Sequence, residues 1–85
     1  MPIRNRRVLA ERLRWPAGAL EECLRVEKDR PGYNVSWFRE WTVPGFERAE
    51  GFYAWRTEDK DPLYHGKRRH EWYGKTTEQL CRVLP

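Results

Sequence analysis

YNVSWFREWTV, residues 33–43, is the stretch of this sequence that most clearly indicates a fold. Its odd-numbered positions are apolar except for Arg39, and its even-numbered positions are polar except for Phe38. Successive side chains of a β-strand point to opposite faces of a sheet, so this alternation predicts a strand with one buried face. The turn signal Pro44-Gly45 then ends the strand.

Two further strands are predicted after that turn. Residues 51–57 (GFYAWRT) are rich in the aromatic residues that pack well on pleated surfaces, and residues 70–75 (HEWYGK) resemble them in composition. Residues 58–69 form a long polar connection between these two strands.

Three helices are predicted around the strands. Residues 5–14 favour a short helix with Asn5 as its N-cap. Residues 16–28 favour a second helix, because Pro16 suits the first helical position and an apolar stripe follows at helical spacing: Ala17, Leu20, Cys23 and Leu24. Thr76 and Gln79 have the spacing of a capping box, which predicts a last helix from Thr76 onward.

The predicted fold class is therefore α+β, a small three-stranded antiparallel sheet with helices on one face in the order α-α-β-β-β-α. The 85 residues suffice for a single domain, with residues 1–14 as a basic N-terminal arm or short helix and residues 16–85 as an αβββα core. The alternative is a winged-helix domain in which residues 34–41 form a helix, but the alternation favours a strand.

Composition bears on the cellular setting. No apolar run approaches the roughly 20 residues that cross a bilayer, and the basic N-terminus lacks the apolar segment of a secretory signal. Cys23 and Cys81 stand alone in the sequence and are predicted to be small core residues, with a disulfide between them as the alternative. A cytoplasmic protein that makes no membrane contact is expected.

Catalytic and metal-binding patterns are missing from the sequence. Ser36 is the only serine and has no neighbouring base, while His65 and His70 flank the cationic run GKRR. No Cys or His pair has the spacing of a zinc site, and no glycine-rich phosphate loop is present. We therefore expect a protein that is not an enzyme, with no cofactor, metal or small-molecule substrate.

The positive charge is concentrated at the two ends of the chain. Residues 1–14 carry five arginines and one glutamate, a net charge of +4, and residues 65–85 have a net charge of +3, whereas residues 15–64 sum to −3. Arginine binds phosphate through two parallel hydrogen bonds, which favours nucleic-acid contact. A positive face would form if the ends met, and the candidate nucleic-acid-binding residues are Arg4, Arg6, Arg7, Arg12, Arg14, Lys67, Arg68, Arg69 and Lys75. A solvated surface or an acidic protein partner are the alternatives.

Aromatic residues are the second unusual feature, at 14% of the chain. Helices on one face of a three-stranded sheet leave the other face open, so part of the aromatic set is expected to be exposed. The candidates are Phe38, Tyr53, Trp55 and Tyr73. Exposed rings beside arginines stack on unpaired bases, and they also form the centres of protein–protein interfaces. The alternative is that the rings fill a core that is short of aliphatic residues.

Four segments carry a resemblance: WPAGALEEC (15–23), PGYNVSW (31–37), PGFER (44–48) and GFYA (51–54). Residues 15–56 resemble small, functionally uncharacterised proteins of actinobacteria and their mobile elements, which implies a bacterial cytoplasmic protein and no particular activity. The predicted topology is also similar to that of double-stranded-RNA-binding domains and of three-stranded DNA-binding modules at integrase N-termini. In the former a basic motif opens the last helix, where this chain has Gly74-Lys75-Thr76 with one lysine.

The sequence thus predicts a small basic binding protein without catalytic activity. The leading hypothesis is a nucleic-acid-binding accessory or regulatory factor that uses the basic clusters and the sheet aromatics. The alternative is a protein–protein interaction module, such as an inhibitor, adaptor or regulator of a larger complex. A structural component that self-associates through its sheet is a third class.

Overall fold

The computed structural model describes residues 3–45, 47–59, 63–64 and 67–85. Its elements are α1 (Ile3–Arg12), α2 (Ala19–Asp29), β1 (Tyr33–Phe38), β2 (Gly51–Arg56), β3 (Leu63–Tyr64), β4 (Lys67–Arg68), β5 (Trp72–Gly74) and α3 (Thr77–Val83). The antiparallel sheet has the order β1-β2-β5, and β3 pairs with β4 in a separate two-stranded ladder. The predicted α+β fold with the order α-α-β-β-β-α is confirmed, whereas the β3–β4 ladder within the polar connection was not predicted.

One face of the sheet packs against α2 and α3 to form the core. Val35 and Trp37 of β1 are buried, and they lie opposite Ala54 and Phe52 of β2. The buried cluster consists of Ala19, Cys23, Val26, Val35, Trp37, Phe52, Ala54, Leu80 and Leu84. The alternation predicted from the sequence is therefore confirmed over residues 33–38.

The strand ends earlier than its pattern predicted. Beyond Phe38 the continuous ladder with β2 is interrupted, and Arg39 donates hydrogen bonds to the carbonyl oxygens of Leu13 and Arg14 at 3.0 and 2.9 Å. Trp41 pairs with Arg48 in an isolated bridge, and 54% of its surface is exposed. The expectation that Trp41 continues the buried face is wrong, because the bridge keeps the register of β1 and β2 but lies outside the buried cluster.

Both N-terminal helices differ from their predicted limits. α1 begins two residues before Asn5, and α2 begins at Ala19 after Gly18, whose φ of 82° is left-handed. Pro16 therefore lies in the connection before α2 and not at its first position. As a result Ala17 is exposed, and the buried face of α2 is formed by Ala19, Leu20, Cys23 and Val26.

α1 ends in a Schellman motif with an unusual residue. The amide of Arg14 donates to the carbonyl oxygen of Glu11, and the amide of Trp15 donates to that of Ala10. Arg14 has a φ of 56°, a conformation that favours glycine because a Cβ crowds the backbone there.

α3 is fixed at its start by side-chain hydrogen bonds. The hydroxyl of Thr76 accepts from the amide of Gln79, and the side-chain oxygen of Gln79 accepts from the amide of Lys75. Thr77 is buried, and its hydroxyl donates to Glu22 and accepts from Arg25 of α2. These contacts confirm the predicted cap and tie α3 to α2.

The two cysteines behave as predicted. Both are free thiols, Cys23 within the core and Cys81 half-buried against it. Burial raises the pKa of the Cys23 thiol to about 12. Among the described helices, none combines the length and the apolar composition needed to cross a membrane.

Candidate interaction surface

The sheet face opposite the core holds the aromatic residues that were expected to be exposed. The rings of Phe38 and Tyr53 meet edge to face at 5.5 Å, and the Arg48 guanidinium lies 4.5 and 4.4 Å from their centroids. Arg69 stacks on Trp55 at 3.6 Å. Tyr53 is only 8% exposed, while Phe38 and Trp55 are half-buried. Tyr53 is therefore buried and not exposed as predicted, whereas Phe38 and Trp55 remain partly exposed.

Tyr73 is the aromatic candidate that remains exposed. Its ring lies 4.9 Å from that of Tyr53, and its hydroxyl donates to the carbonyl oxygen of Glu50 at 2.7 Å. Since one end of the ring is held in this way, a continuous aromatic platform for stacking bases is not present at these four positions.

The buried carboxylate of Glu71 holds the two arginines that lie against these rings. Nε of Arg69 donates to Glu71 at 2.7 Å, and NH1 of Arg48 lies 3.1 Å from the other oxygen of Glu71, out of line for a hydrogen bond. The side chain of Arg69 is 6% exposed, that of Arg48 is 15% exposed and that of Glu71 is 11% exposed. We call this group the arginine–aromatic layer: Phe38, Arg48, Tyr53, Trp55, Arg69 and Glu71. Burial within it raises the pKa of Tyr53.

Arg6, a second member of the predicted basic set, also has a structural role. It forms a two-pronged ion pair with Glu27 at 2.7 and 3.1 Å and donates to the carbonyl oxygen of Val35 at 2.9 Å. Glu27 accepts in turn from the amide of Val35 at 2.7 Å. We call the pair of Arg6 and Glu27 the edge clamp, because β1 is an edge strand of the sheet. The edge clamp occupies backbone groups of β1 that would otherwise be free to pair with another chain.

The other arginines near the N-terminus are exposed. Arg7 lies 3.4 Å from Glu21 in an exposed pair, whereas no ion pair within the described residues involves Arg4, Arg12 or Arg14. The first basic cluster is therefore reduced to four exposed arginines.

The second basic cluster lies elsewhere. Lys75 is exposed, Arg69 belongs to the arginine–aromatic layer, and the side chains of Lys67 and Arg68 lie outside the described part of the chain. Arg6 fixes α1 at the β1 edge of the sheet, whereas β5 and α3 occupy the opposite edge. The positive face expected from a meeting of the two ends stays a prediction.

Exposed apolar side chains mark the α1 end of the molecule. Val8, Leu9 and Leu13 are 41 to 53% exposed, and Trp41 and Val43 of the loop after β1 are similarly open to solvent. Arg39 links the start of this loop to the end of α1. Among the described side chains of α1, the small residue Ala10 is buried, whereas Val8 and Leu9 are left outside.

A shallow depression lies on α1 itself. It has a volume of about 290 Å³ and is lined by Asn5, Val8, Leu9 and Arg12. We call the side of this helix around the depression, with the residue that follows the helix, the α1 face: Arg4, Asn5, Val8, Leu9, Arg12 and Leu13. The sequence shows these residues, but not that they face away from the core.

A larger cleft of about 680 Å³ runs between α2 and the ends of β1 and β2. Glu21, Glu22 and Arg25 line it, and all three already pair with other side chains. Over the described residues, no three His, Cys, Asp or Glu side chains are grouped so as to hold a metal ion. No protein-family model, curated protein or solved structure matches the chain. The resemblance to actinobacterial proteins stays a prediction.

Proposed function

We propose that this protein is a non-catalytic interaction module that binds another protein through the α1 face. The observation that carries this proposal is the exposure of Val8 and Leu9 between arginines on α1, and of Leu13 directly after the helix. Grouped apolar side chains with a polar rim are typical of surfaces that become buried in a complex. The neighbouring Trp41 adds a side chain of the type that dominates interface energies.

The burial of the Cys23 thiol supports a non-catalytic role. A thiol must ionise to react, and the pKa of Cys23, at about 12, keeps it protonated in a core that solvent does not reach. Ser36 lies within β1, where the hydroxyl has no neighbouring histidine along the strand.

A protein partner fits the observations better than a nucleic acid does. Arg6 and Arg69 are engaged inside the fold, and the rings of Phe38, Tyr53 and Trp55 each have an arginine guanidinium packed against them. Phosphate contact needs cations but gains little from exposed aliphatic side chains. Nucleic-acid binding remains a second candidate, supported by the exposed side chains of Arg4, Arg7, Arg12 and Arg14.

The test compares three forms of the protein as bait in extracts of the native cell. The wild type and a Val83→Ser control, which changes an exposed valine on α3, should recover the same partner. The double variant Leu9→Ser/Leu13→Ser should lose it, although its fold is intact by circular dichroism. Equal recovery with all three baits would contradict the proposal.

Fluorescence anisotropy with labelled duplex DNA, single-stranded DNA and RNA tests the second candidate. We expect weak binding at low salt that disappears near about 150 mM salt, as for non-specific phosphate contact. Micromolar binding that persists at that salt concentration and is abolished by Arg4→Ala/Arg12→Ala would support nucleic acid as the partner and contradict the protein-binding proposal.

A further inference from the structure

The geometry of the α1 face points to one kind of partner. We propose that it receives an acidic amphipathic helix, which inserts an apolar side chain into the depression on α1 and places carboxylates beside Arg4 and Arg12. This inference rests on the proposed function and specifies the chemistry of the partner.

The shape of the depression is the first reason. Its four lining residues, Asn5, Val8, Leu9 and Arg12, occupy positions i, i+3, i+4 and i+7 of one helix. Four residues at this spacing form the hole that accepts a single side chain from a neighbouring helix in knobs-into-holes packing. A partner helix is therefore a better fit to this surface than an extended strand or a loop.

The length of α1 limits how much of a partner it holds. Its ten residues span about 15 Å at 1.5 Å per residue. Two to three turns of a partner helix fit along this length, so one central side chain in the depression has neighbours over Val8 and Leu13. Leu13 lies beyond the last helical residue and extends the apolar surface toward the loop that carries Trp41.

Charge selects the partner among apolar helices. Arg4 and Arg12 carry positive charge on the α1 face, and no described carboxylate pairs with them. α1 as a whole has four arginines against one exposed glutamate, Glu11. A second copy of this chain would bring two such sets of arginines together, which like-charge repulsion disfavours. A partner helix with glutamates beside its apolar side chain gains attraction at the same positions without displacing an existing contact.

Synthetic helical peptides provide the test, each about 20 residues long so that a helix forms. One has a leucine stripe flanked by glutamates, the second has the same stripe flanked by lysines, and the third keeps the glutamates but replaces the leucines by alanine. Binding to the full-length protein is measured by anisotropy at about 150 mM salt. Duplex DNA and vesicles containing an anionic lipid are included as competing ligands.

We expect the glutamate–leucine peptide to bind with a micromolar dissociation constant. Burial of one leucine is worth a factor of about 10 to 100 in affinity, so Leu9→Ser and the alanine peptide should each weaken binding at least about tenfold. Arg12→Ala should weaken it less and reduce its salt dependence, whereas Val83→Ser should leave it unchanged.

Equal binding of the glutamate and lysine peptides, or no binding of either, would overturn the acidic-helix inference. The same holds if the protein prefers the vesicles or the duplex. If the cell-extract experiment still shows a partner that depends on Leu9 and Leu13, the proposed function stands and only the partner chemistry is wrong. If recovery there is insensitive to both substitutions, the proposed function fails as well.

Discussion

Replacing Glu71 by glutamine should destabilise the protein strongly, because this carboxylate is shared by two guanidinium groups. Arg69 donates to it at 2.7 Å and Arg48 lies 3.1 Å away, and the three side chains are at most 15% exposed. Glutamine has nearly the same shape and keeps an oxygen for Arg69. The substitution therefore removes the charge and leaves the packing of the arginine–aromatic layer almost unchanged.

The magnitude follows from the burial of the two cations. Breaking a buried ion pair by removing one partner costs about 3–5 kcal/mol, because the remaining charge, here that of Arg48, loses the carboxylate with which it is buried. The stacking of Arg48 on Phe38 and Tyr53 and the remaining amide oxygen reduce the loss, so we expect about 3 kcal/mol. For a domain of this size that is a large fraction of a total stability of roughly 4–13 kcal/mol, and it lowers Tm by about 12–24 °C.

Thermal and urea unfolding, followed by tryptophan fluorescence and circular dichroism, measure this loss. Glu58→Gln serves as the matched control, since Glu58 is exposed and an exposed carboxylate contributes less than about 0.5 kcal/mol. A Glu71→Gln variant within about 1 kcal/mol of the wild type would refute the conclusion that the two arginines depend on this carboxylate.

Three further predictions concern other parts of the fold. Arg14→Gly should raise the free energy of unfolding by about 1 kcal/mol, because glycine relieves the left-handed φ of 56°. A loss of stability in urea unfolding would contradict the conclusion that the backbone of Arg14 is strained. Glu27→Ala should lower the free energy of unfolding by about 2–3 kcal/mol, because Arg6 and a strand amide lose Glu27 as their acceptor. It should also induce concentration-dependent self-association in sedimentation velocity. The control Glu21→Ala, in an exposed pair, should change stability by less than about 0.5 kcal/mol. Stability should fall as pH rises above 9.0, the usual pKa of a cysteine, toward the folded value of about 12, because only the unfolded chain ionises Cys23 in that range; Cys23→Ala should flatten this part of the pH profile, and an unchanged slope would exclude the thiol as its cause.

Features set by near neighbours in sequence were predictable. The alternation over residues 33–38 places Val35 and Trp37 in the core, since a strand's two faces follow from its period. The spacing of Thr76 and Gln79 gave the start of α3, because a cap depends on residues three apart.

Features that depend on distant partners were not predictable from the sequence. Arg6 and Glu27 are 21 residues apart, and nothing in the sequence around Arg6 distinguishes it from the exposed Arg4 or Arg7. The arginines that lie over the second face of the sheet were not predicted, for the same reason. Arg48 and Arg69 were counted as surface charge or overlooked, although both stack on rings of that face. Composition gives the number of arginines but not which of them are paired inside the fold.

The α1 face was only partly foreseeable. Val8, Leu9 and Leu13 are apolar residues of the segment 5–14 that is predicted to be a short helix, and such residues usually face the core. Here Ala10 and the stem of Arg6 face inward, so the larger side chains remain at the surface. The exposure of these residues follows from how α1 is fixed to the β1 edge, which no local pattern encodes.

Amide chemical shifts of the ¹⁵N-labelled protein during titration with the glutamate–leucine peptide test the central claim most directly. The account predicts that the shift changes centre on residues 4–14 and on the loop around Trp41, with saturation at a micromolar dissociation constant. Shift changes centred on β5 and α3, or no changes at peptide concentrations well above that constant, would contradict it.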